Sequence, residues 1–152
     1  MLNSDVSIGI RLRNGQVIRW GSKIGGLIKE HKPDKRIDGQ QLTLFWGDVR
    51  LFGVLFGASS VFFKGEILVK DRPLGEIQLK SPGKVDGKNI EKIYLGLTEQ
   101  FGDPISKQAM GTYSAHTWQH KDITIEFSHR NNGEKTEVLI CKPAHLKKNS
   151  IK

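Results

Sequence analysis

One cysteine in 152 residues, Cys141, rules out an internal disulfide and fits a reducing compartment. Nor is any apolar run long enough to cross a membrane as a helix. The longest weakly polar stretch, "LFGVLFGASSVFF" (51–63), is thirteen residues between Arg50 and Lys64, where a span needs about 20. Buried strands account for it better. The start, "MLNSDVSIGI", shows no basic segment followed by an apolar core, so no signal peptide is read and a soluble, cytoplasmic protein is expected. There is no glycine-rich phosphate loop with its lysine, no GxSxG, no HExxH and no CxxC. The serines of "GASS" (57–60) have no base placed beside them by sequence, and the carboxylates Asp48, Glu66, Asp86, Glu91 and Glu126 are scattered. The expectation is a protein that is not an enzyme and carries no cofactor.

What the chain does have is positive charge, placed unevenly. The formal net charge is +8 and the isoelectric point is near 9.7. Residues 1–40 carry eight Lys/Arg against four Asp/Glu, residues 41–120 nine against eight, and residues 121–152 seven against four. The excess therefore lies at the two ends. Four lysines and no acid follow from Lys142 onward, which reads as a basic tail over 144–152 after a single domain over 1–143. Such a balance suits an acidic protein partner or nucleic acid.

The first element reads as a hairpin. In "VSIGIRLRNGQVIRWG", Asn14-Gly15 separates two β-rich runs, and a two-residue turn would pair Arg13 with Gln16. Val6, Ile8, Ile10 and Leu12 then share a core face with Val17, and Arg19 falls on that face opposite Ile10. The other face carries Arg11, Arg13 and Trp20, with Trp20 over Gly9. "SKIGGLIKEH" (22–31) has helical spacing with Ser22 as N-cap, although Gly25-Gly26 costs about 2 kcal/mol relative to alanines. "KEHKPDKRIDGQ" (29–40) reads as a polar loop, and 41–81 as a four-stranded meander with a turn at Gly47-Asp48. Ile90, Ile93, Tyr94, Leu97 and Phe101 make one helical stripe, capped by Asp86 or Asn89 and ended by Gly102 before Pro104. A second meander follows in "TYSAHTWQH", "ITIEFSHR" and "KTEVLICK". No internal repeat is read in the residues.

Three of the five histidines fall in "YSAHTWQHKDITIEFSH" (113–129). A turn at Lys121-Asp122 pairs His120 with Ile123, Trp118 with Ile125 and His116 with Phe127. His116 and His120 then stand about 13 Å apart along one strand, too far to share an ion. His116 and His129 converge diagonally but have no third ligand in sight, so no metal site is expected.

The fold class that results is α+β: antiparallel β-meanders of about nine strands packed against one long helix, with one additional short helix. The order helix, "FGDP" turn, Trp-bearing strand and meander over 88–142 resembles that of small β-lactamase-inhibitor-like modules and of some outer-membrane lipoprotein domains. The expected function is a non-enzymatic protein-binding module, of inhibitor or immunity type, acting on an acidic partner. The alternative is a nucleic-acid-binding domain. In both, Arg11, Arg13, Trp20, Lys29, Lys32, Lys35 and Arg36 are the partner-binding candidates, with Trp20 as a stacking surface.

Overall fold

Strand alternation and turn chemistry resolve into ten strands and two helices in the computed structural model, which describes residues 6–63, 69–130 and 133–142. The strands are β1 (Gly9–Arg11), β2 (Val17–Arg19), β3 (Asp34–Asp38), β4 (Gln41–Leu51), β5 (Val54–Phe63), β6 (Glu76–Lys80), β7 (Ser106–Met110), β8 (Tyr113–His120), β9 (Ile123–Arg130) and β10 (Glu137–Cys141). The helices are α1 (Ile24–His31) and α2 (Gly87–Phe101). β1 and β2 form a separate pair, and the other eight strands make one antiparallel sheet in the order β3-β4-β5-β6-β10-β9-β8-β7. The basic tail expected over 144–152 lies outside the described residues.

The order contains a repeat that the residues do not advertise. A helix followed by a four-stranded meander occurs twice, α1 with β3 to β6 and α2 with β7 to β10. The two halves meet where their last strands, β6 and β10, pair antiparallel from Glu76↔Cys141 to Lys80↔Glu137. The second strand of each half carries a buried tryptophan as its sixth residue, Trp46 in β4 and Trp118 in β8. Each indole N–H is bonded, Trp46 to the Ser60 hydroxyl at 2.9 Å and Trp118 to the Gly102 carbonyl at 2.9 Å.

One face of the sheet is covered. Eight strands span about 34 Å, whereas the fifteen residues of α2 measure about 22 Å, so the helix expected to be long cannot roof the sheet alone. α2 packs over the second half: Tyr94 meets His116 at 4.8 Å and Trp118 at 5.9 Å, and Phe101 meets His120 at 5.2 Å. Ile10, Ile18, Ile24 and Leu27, from the β1–β2 hairpin and α1, join Leu44, Phe56 and Ile77 in the same core cluster. On the opposite face Ser59, Ala115 and Ser128 are buried yet stand outside that cluster.

Several expectations change, each for a physical reason. The hairpin takes a three-residue loop: Leu12 N–H bonds Gln16 at 2.7 Å, Gly15 N–H bonds Leu12 at 2.9 Å, and Gly15 has φ +93°. Pairing therefore runs Ile10↔Ile18 and Gly9↔Arg19, one residue away from the two-residue register. That shift puts Ile18 and Trp20 inside and leaves Val17 half-buried and Arg19 exposed, a larger apolar burial than the reverse. It is a backbone, not an indole, that lies over Gly9, since a Cβ there would strike the Ile18 carbonyl.

Lys23, not Ser22, is the N-cap of α1, and it makes no side-chain cap bond. The polar stretch after α1 is an edge strand, β3, rather than a loop. Gly47-Asp48 is not a turn: β4 runs through it with a bulge between Phe45 and Gly47. The bulge supplies the phase change that takes the buried positions from Leu44 and Trp46 to Val49 and Leu51. The real turn is Phe52-Gly53, both at positive φ (51° and 86°), so residues 41–81 supply three strands, β4, β5 and β6, and β3 before them is the fourth of the meander. The Lys121-Asp122 turn and the three pairs read for β8 and β9 stand as expected.

Candidate interaction surface

Arg13, Lys29 and Lys32 lie at the corner where the hairpin loop meets the end of α1, and Lys35 and Arg36 follow on the adjoining β3. The loop is fastened there by two bonds. Arg13 N–H donates to the Asp48 carbonyl at 2.7 Å, and the Gln16 side chain lies 3.1 Å from His31 Nδ1. Leu12 packs on Gly47, where a Cβ would stand only 3.3 Å from the Leu12 Cδ1. Gly47 has φ +145° within the β4 bulge, so the bulge both bends the strand and admits the hairpin.

α1 ends beside this loop. Lys32 takes the left-handed conformation at φ 48° and bonds its N–H to Ile28 at 2.9 Å, closing the helix. Lys29 and His31 lie in the last turn, where the helix dipole favours positive charge. A cleft of about 340 Å³ opens next to Lys32, with Asp34, Phe45, Gly47, Asp48 and Gly57 among its lining residues. β3 then leaves the corner as an outer strand whose five residues are all exposed. Lys35 pairs with Leu44 and Arg36 with Thr43, so their side chains project to opposite faces.

Arg13, Lys29, Lys32, Lys35 and Arg36 are all exposed, and none makes a salt bridge among the described residues. Arg11 is exposed farther along the hairpin, with its guanidinium 3.4 Å from the Gly15 carbonyl. Trp20 is the correction. It is 8% exposed, and its indole N–H donates to the Val6 carbonyl at 2.8 Å. The register shift carries it inside, so it offers no stacking surface. Ile37 and Phe45, 61% and 41% exposed, are the apolar residues at this end instead. Sequence reading missed Gln16, His31 and Asp48 as the residues that assemble the corner. The phase change from Trp46 to Val49 was the one signal of the bulge that docks it.

A second cavity, of about 240 Å³, lies between α2 and the β8–β9 pair, lined by Glu91, Tyr94, His116, Phe127 and His129. His116 Nδ1 is buried there with no hydrogen-bond partner among the described residues. Burial first, then Lys107 and His129, hold the His116 pKa below its ordinary 6.5, which favours the neutral ring. Among the described residues no group of three His, Cys, Asp or Glu side chains is placed to hold a metal ion. Cys141 is a poor nucleophile: burial and the neighbouring Glu76 push its pKa up to about 12.

Comparison with protein-family models, with curated proteins and with solved structures yields no match to this chain.

Proposed function

We propose that this chain is a non-enzymatic protein-binding module, of inhibitor or immunity type, that engages an acidic protein through the corner built by Arg13, Lys29, Lys32, Lys35 and Arg36. One observation carries the reading: the hairpin loop, the end of α1 and the adjoining β3 carry five exposed cations, and none is neutralised by an ion pair among the described residues. Unpaired like charges repel one another, so their concentration costs the fold stability that a complementary partner would return. Exposed Phe45 shares a face with Arg36 and exposed Ile37 shares the other with Lys35, so each face of this end sets an apolar residue beside a cation.

The same unpaired cations also suit phosphates, and this supports nucleic acid as the second reading. The burial of Trp20 weakens it, because the indole then offers no platform for base stacking and Phe45 is left as the exposed ring at this end.

Affinity capture at two salt concentrations, with and without nuclease, separates the two. An acidic protein retained after nuclease treatment, and weakened by salt, is the expected result. Recovery of nucleic acid alone, lost steeply with salt, would replace the first reading with the second.

A further inference from the structure

The two halves of the sheet end on equivalent strands, β3 and β7, each the first strand after its helix. Both are outermost, and every residue of each is exposed. Their chemistry differs. β3 reads Asp-Lys-Arg-Ile-Asp, and antiparallel pairing with a second copy about Arg36 would set Asp34 against Asp38 and Arg36 against Arg36. Like charges directly opposite destabilise a strand pair, so β3 is disfavoured in this register. β7 reads Ser-Lys-Gln-Ala-Met and meets no such opposition.

The backbone of β7 is positioned for pairing. Met110 and Tyr113 close the two-residue turn Gly111-Thr112, with Gly111 at φ 60°. They are therefore the doubly bonded pair, and Gln108 and Ser106 follow at alternate places. The N–H and C=O groups of Lys107 and Ala109 point away from β8 into solvent. Antiparallel pairing about Gln108 would join Lys107 to Ala109 of a second copy and Ala109 to its Lys107, with Gln108 facing Gln108 and Ser106 facing Met110. No charge stands directly opposite a like charge. The flanking Ile105 and Met110, 67% and 70% exposed, would lose apolar surface to water.

We propose that the chain forms a twofold-symmetric dimer through β7, joining two eight-stranded sheets into one. This surface is separate from the cationic corner, and the inference does not depend on that reading.

The test is the mass in solution of the full chain by sedimentation equilibrium. A five-residue edge makes a small interface, so the measurement runs up to about 1 mM protein. Twice the chain mass of 17.1 kDa is expected at the upper concentrations. Ala109→Lys places lysine against the partner's Lys107 twice over and should weaken association at least about tenfold. Adding Lys107→Glu to it restores opposite charges and should restore the dimer. Ala109→Pro removes an outward N–H without touching a bond to β8, and should give monomer. Circular dichroism confirms folding of each variant. A wild type that stays monomeric, a dimer that persists in both single variants, or a double variant that is not rescued would each overturn the proposal.

Discussion

Gly102 has φ +89° and ψ −168°, a backbone conformation that is almost confined to glycine. A Cβ there would meet no atom within 4 Å, so the cost of a side chain is conformational and not steric. Gly102→Ala should cost about 1–3 kcal/mol in a urea melt, and a change below about 0.5 kcal/mol would contradict the assignment. Gly26, in the exposed helical part of α1 with no atom within 4 Å, is the counterpart. Gly26→Ala should stabilise by about 0.5–1 kcal/mol. Gly25, one residue earlier, cannot be changed as freely, because Lys70 packs where its Cβ would lie. Cys141 offers a chemical test. With its pKa pushed up to about 12 by burial and Glu76, only about one thiol in ten thousand is ionised at pH 8. Iodoacetamide should therefore label the native protein far more slowly than the urea-unfolded chain, and equal rates would show that the thiol is free.

At the scale of elements, the turn between β4 and β5 is pinned to α2. Phe52 sits at positive φ, and its ring lies where a side chain on Gly96 would be. Gly96→Ala should cost about 1–3 kcal/mol through overpacking of that contact, which chemical denaturation would measure. Phe52→Ala in the same background should remove most of the penalty, and additive losses would place the strain elsewhere. Elements of this kind set the limit of what the residues alone disclose. The α2 stripe, the Asp86 cap and the β8–β9 register were readable because each rests on local periodicity or on a two-residue turn. Asp86 does accept from Asn89 N–H, at 2.8 Å. The β1–β2 register was not readable, since Asn14-Gly15 serves a three-residue loop as well as a two-residue turn and the core chose between them. β3 and β7 were missed for a related reason. Outer strands with every residue exposed bury no face, so they leave no alternation to detect. The cations of the corner were legible as charge. The approach of Arg13 to the end of α1 depends on Arg13 bonding Asp48 and Gln16 meeting His31, contacts across 35 and 15 positions that only the fold makes.

At the scale of the molecule, two meanders of similar order are joined at β6 and β10, yet their ends differ in charge. The first half presents its unpaired cations at the α1–β3 corner, and the second half ends on the weakly charged β7. Charge reversal separates the working surface from a merely solvated one. Arg13→Glu, Lys32→Glu, Lys35→Glu and Arg36→Glu together take the formal charge from +8 to zero while altering only exposed side chains. The most direct measurement is the affinity of this fourfold variant for the partner captured by the wild type, by titration calorimetry, once circular dichroism shows an unchanged fold. The account predicts that binding falls at least about a hundredfold, or 2.7 kcal/mol. Unchanged affinity in the folded variant would contradict it and would leave the corner as a solvated basic face.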